Sequence, residues 1–75
     1  MNNQRRKEIK NIIQKIELIK KEIERINDAE QDAFDNMPEG IQCSLRGEES
    51  EDSISVMEDT IDILENACSE LANII

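Results

Sequence analysis

The sequence predicts an all-α protein: an antiparallel two-helix hairpin that dimerises into a four-helix bundle. Three observations predict it. Two long stretches place apolar residues at alternating steps of three and four, the period of one helix face. Turn formers and aromatics are too scarce for a sandwich or barrel, with one Phe, no Trp or Tyr, two Gly and a single Pro. That proline sits near mid-chain, between the two stretches. At 75 residues, positions 1–75 have room for one helical-hairpin domain and no second.

The first helix is expected over about residues 3–36. Ile9, Ile12, Ile16, Ile19, Ile23, Ile26 and Ala33 form its heptad seam, interrupted once by Glu30. With Ile13 they make an apolar stripe about 100° wide, the width of a helix facing one core. A hinge over 37–44 follows, because Pro38 removes a backbone donor and disfavours helical geometry at Met37. Pro38 can also open a short helical turn, and Ser44 suits the N-cap of the next helix. The second helix is expected over about 45–75, with Ile54, Met57, Ile61, Leu64, Cys68, Leu71 and Ile75 holding every core position. Both helices would reach about 45–50 Å at the standard rise, so the chain folds back on itself at matched length.

A second apolar row accompanies the seam of the second helix: Val56, Thr60, Ile63, Ala67 and Ile74. It widens that helix's apolar arc to roughly 160°, enough to touch two neighbours. One helix-on-helix contact covers only part of each surface. Homo-oligomerisation is therefore expected, a dimer being the simplest closed form, with these five residues as its interface. Isoleucine at both core positions of the first helix agrees, since it favours more than two strands in parallel coils.

Charge is segregated along the chain. Residues 1–26 contain eight Lys or Arg against four Glu, while residues 27–75 contain Arg46 alone against fourteen acids. Antiparallel pairing is expected to bring Arg5, Arg6, Lys7 and Lys10 towards Glu65 and Glu70, and Lys15, Lys20 and Lys21 towards the middle acids. The acidic surplus gathers around the hinge, from Asp28 to Glu39 and from Glu48 to Asp52. It reads either as a solvated surface or as a patch that meets a basic protein. A net charge of −9 repels phosphate and no aromatic pair can stack on bases, so direct nucleic-acid binding is disfavoured.

Chemistry is sparse. Without histidine there is no His general base, Ser-His-Asp triad or His-ligated metal. Cys43 and Cys68, separated by 24 residues, form no CxxC pair. Asp28, Glu30, Asp32 and Glu39 match an EF-hand spacing, but Ala33 replaces the turn glycine and Pro38 precedes the last ligand. No enzyme, cofactor or metal is expected. No apolar run approaches a membrane span and the start lacks a signal-peptide pattern, so the expected location is the cytoplasm, without membrane contact.

The hinge is the informative segment. Phe34, Met37, Ile41 and Leu45 are expected to plug the end of the bundle, and Arg46 to pair with Asp35 or Glu39. Asp35, Asn36, Glu39, Arg46 and Glu48 form the candidate partner-binding set. The elements Glu30-Gln31, Ala33-Phe34-Asp35-Asn36-Met37-Pro38-Glu39, Gln42, Ser44 and Arg46-Gly47-Glu48 resemble those of short, uncharacterised helical-hairpin proteins of bacteriophages and mobile elements of Gram-positive bacteria. That resemblance covers about a quarter of the chain and brings no activity with it. It implies an accessory role in the host cell cytoplasm, such as disabling a host protein, a defence component or a nucleic-acid enzyme. A structural oligomerisation or scaffold module is the alternative. A third reading is capture of a small anionic nucleotide at a subunit boundary by Arg46 with Lys20, Lys21 and Arg25.

Overall fold

A computed structural model describes all 75 residues, and it is helical throughout, without a strand. Helix α1 spans Asn3–Asp35, a single turn α2 spans Glu39–Gln42, and α3 spans Leu45–Ala72. The start of α1 is capped by Asn2, whose Oδ1 accepts from the Arg5 N–H at 2.9 Å and so satisfies one free donor of the first turn. The end of α1 is set by the proline. Asn36 closes the helix, its N–H donating to the Asp32 carbonyl and the next N–H, of Met37, to the Phe34 carbonyl, and Pro38 stands in extended geometry before α2. Ser44 also takes extended geometry before α3. Its hydroxyl does not cap that helix and donates instead to the Ile41 carbonyl, tightening the turn behind it. Asn73–Ile75 lie beyond α3, which stops short of the C-terminal residue.

The two long helices pack antiparallel along a rod with extents of 58 × 15 × 12 Å. Ser50 Oγ donates to Glu30 Oε1 at 2.8 Å near the hinge, and Cys68 Sγ lies 3.9 Å from the Ile13 carbonyl near the open end. These two contacts fix the register. On α3 the seam follows the sequence from Ile54, which is buried, through Met57, Ile61, Leu64, Cys68 and Leu71, which are half-buried; the expected last place fails, because the helix ends at Ala72 and leaves Ile75 37% exposed beyond it.

On α1 the seam differs from the expectation. The positions turned towards α3 are Ile9, Ile13, Ile16, Lys20, Ile23, Asn27, Glu30 and Phe34. Ile12, Ile19 and Ile26 turn outwards and are 46%, 49% and 49% exposed. Both heptad rows flank the shared column Ile9, Ile16 and Ile23, so periodicity alone does not choose between them. The hinge chooses. Gln42 Nε2 donates to the Phe34 carbonyl at 2.9 Å, and half-buried Phe34 takes the next seam place after Glu30. Turning Phe34 in rotates the Ile12 row out.

The closed end is built on close backbone approach. A Cβ at Gly47 would stand 2.0 Å from the Gln42 carbonyl oxygen, so only glycine lets α3 pass behind α2. Gly40 differs: a Cβ there meets nothing within 4 Å and the backbone needs no left-handed geometry. Gly40→Ala is expected to raise stability by about 0.4–1 kcal/mol through lower unfolded-state entropy, read as a higher denaturation midpoint with an unchanged slope. Phe34 and Met37 are half-buried at this end, as expected. Ile41 and Leu45 are not part of the plug, being 37% and 70% exposed; Leu45 stands nine residues before the seam residue Ile54, on the opposite face of α3.

Candidate functional site

An apolar face is shared by both long helices. On α1, the row Ile12, Ile19, Ile26 and Ala33 lies directly beside the seam column Ile9, Ile16, Ile23 and Glu30. On α3, the row Ser53, Thr60 and Ala67 lies beside Ser50, Met57 and Leu64 in the same sense, and Ile74 follows in the turn beyond the helix. Antiparallel pairing brings these two rows to one side of the hairpin; parallel pairing would put them on opposite sides. Val56 and Ile63, each 64% exposed, extend the same side of α3. Thr60 and Ala67 are half-buried, whereas Ile74 is 50% exposed. The Thr60 hydroxyl donates to the Val56 carbonyl at 2.7 Å, which frees that position to present its methyl group.

The opposite flank is polar. It carries Lys10, Glu17, Glu24 and Gln31 from α1, and Glu51, Glu58, Glu65 and Ala72 from α3. There Lys20 Nζ reaches Glu65 Oε1 at 3.9 Å, the sole ion pair within 4.0 Å. Arg5, Lys7 and Lys10 form none, contrary to expectation, and Arg6 donates to Asn3 Oδ1 at 3.3 Å. Register places Lys20, not the first turn, beside Glu65.

The hinge-end seam is polar as well. Glu30, a break in the seam by periodicity, is the acceptor for Ser50, which is 3% exposed. Asn27 Oδ1 is buried without a hydrogen-bond partner. An orphaned amide oxygen costs about 1–3 kcal/mol, so Asn27→Leu is expected to stabilise the fold by about 1–2 kcal/mol. Chemical denaturation reads this directly. On the apolar side, an open groove of about 580 Å³ begins at Glu30 and is lined by Asp52, Ser53, Val56 and Met57.

Comparison with protein-family models, curated proteins and solved structures gave no match.

The candidate partner-binding set gathers at the closed end. Asp35 ends α1 and accepts from Gln31 Nε2 at 3.0 Å; Asn36 caps that helix. Glu39 opens α2, and Arg46 and Glu48 stand exposed in the first turn of α3. Arg46 pairs with neither Asp35 nor Glu39, contrary to expectation, since the turn is held by Gln42 and Gly47 without it. Lys20 lies at mid-rod on Glu65, so one chain alone does not assemble Arg46 and Lys20 into an anion site. Periodicity did not mark Ile12, Ile19 and Ile26 as outward-facing, and they are 46%, 49% and 49% exposed.

Proposed function

We propose that this chain is a non-enzymatic interaction protein whose hairpins pair through the shared apolar face into a homodimeric four-helix bundle and offer acidic hinge ends to a basic protein. One observation carries the reading: a hairpin whose exposed isoleucine rows on both long helices fall on one side, with its sole ion pair on the other. Area supports it. The chain exposes 5677 Å², against about 4,700 Å² for a compact monomer of its 8.6 kDa mass. The excess, about 1,000 Å², is close to the roughly 800 Å² that each partner loses in a standard interface. Val56, Thr60, Ile63, Ala67 and Ile74 belong to that contact, now joined by Ile12, Ile19 and Ile26. No helix is long and apolar enough to cross a membrane.

The likeness to phage and mobile-element hairpin proteins gives the partner reading its context. In that context the target is a basic host protein, a defence component or nucleic-acid enzyme, which the acidic end occupies and inhibits. Asp35, Asn36, Glu39, Arg46 and Glu48 would form the contact, and charge complementarity would set its rate and selectivity. Light scattering tests the first part, with an expected mass twice 8.6 kDa; a mass of 8.6 kDa overturns it. For the second, the protein is expected to retain one dominant basic partner at low salt. Charge reversal of Asp35, Glu39 and Glu48 together should release that partner while the dimer persists. The same apolar face supports a purely structural oligomerisation module, and under that reading the triple reversal leaves biological activity intact.

A further inference from the structure

Resting on the dimer reading above, we infer that the second copy docks head to tail, so that the two acidic hinge ends lie at opposite poles of the bundle. Two face-to-face arrangements use the apolar side. With the two-fold axis along the rod, both hinges share one pole and α1 of one copy flanks α3 of the other. With the axis across the rod, the hinges point apart, α1 flanks α1, and α3 flanks α3.

Charge decides between them. Residues 27–52, the hinge half, hold nine acids and Arg46, a net −8; the remaining residues hold eight Lys or Arg and nine acids, a net −1. Shared hinges would concentrate −16 at one end of a rod only 15 × 12 Å across. Opposed hinges place −9 at each end, and set the basic first half of α1 beside the acidic second half of its partner's α1. The isoleucine row agrees. Ile12 and Ile26 lie seven residues on either side of Ile19, so the row matches its own reverse about an axis through Ile19. The product is a rod with an identical acidic tip at each end, able to hold two basic partners at once.

Cys43 provides the ruler, being exposed at the hinge. Spin labels on Cys43 in the Cys68→Ala chain should report a separation on the order of 50 Å, the length of a 33-residue helix, by double electron–electron resonance. A separation below about 30 Å, as expected for hinges packed at one pole of helices about 10 Å apart, overturns the head-to-tail inference and leaves the dimer standing. A monomeric mass in light scattering overturns both. Should Cys68→Ala fail to fold, wild-type protein labelled only at the exposed Cys43, with single modification confirmed by mass, gives the same two distances.

Discussion

Gly47→Ala is expected to destabilise the protein by about 2–3 kcal/mol, lowering the thermal midpoint on the order of 15 °C for a chain of this size. In an exposed helix the same change would gain up to about 1 kcal/mol, so the sign is informative. Here the new Cβ meets the Gln42 oxygen at 2.0 Å and its carbonyl carbon at 2.5 Å. Those are backbone atoms of a turn already tied by the Pro38 carbonyl to the Ile41 and Gln42 N–H groups, and they cannot step aside as a flexible side chain can. The cheapest relief opens the closed end and breaks the Gln42–Phe34 hydrogen bond. Circular dichroism melts at fixed protein concentration provide the measurement, with Gly40→Ala as the matched control. A midpoint for Gly47→Ala equal to or above wild type would show that α2 and α3 do not approach as described.

That contrast between two glycines marks what was legible in the sequence. Helix existence, antiparallel pairing and the position of the break followed from local rules: isoleucine spacing, Pro38 and the scarcity of other breakers. The α3 seam was also legible, because its inner positions outnumber the alternatives. The facing of α1 was not. Ile12, Ile19 and Ile26 are as apolar as Ile9, Ile16 and Ile23, and a one-helix pattern cannot say which flank meets which neighbour. The choice is made at long range, where Gln42 holds the Phe34 carbonyl and Ser50 holds Glu30. Glu30 and Lys20 then enter the seam with partners on the other helix, and Asn27 enters with its amide oxygen unpaired. The free Arg46 has the same lesson: a lone cation among acids suggests an ion pair, yet backbone and amide contacts had already fixed the turn.

Ile19→Lys is expected to convert the dimer to monomer at concentrations where wild type is fully paired. Ile19 is half exposed in a single chain, so its cost to the isolated hairpin is small and its cost to assembly is large. Each dimer loses the remaining half of the burial of two isoleucines, worth about 0.8–1.5 kcal/mol apiece, and gains two ammonium groups beside the symmetry axis. About 3 kcal/mol in total weakens association more than a hundredfold. Lysine reduces the net charge of −9, so general repulsion cannot explain the dissociation. Gln14→Lys, exposed on the polar side of the same helix, adds the same charge and should leave the mass at the dimer value. Sedimentation over a dilution series separates the two: dissociation of Ile19→Lys alone places the contact on the isoleucine row, whereas equal behaviour of both variants assigns that row to solvent. Ile63→Lys extends the test to α3. In the head-to-tail bundle its weakening should match that of Ile19→Lys, because both residues lie near mid-rod, where the two copies overlap fully.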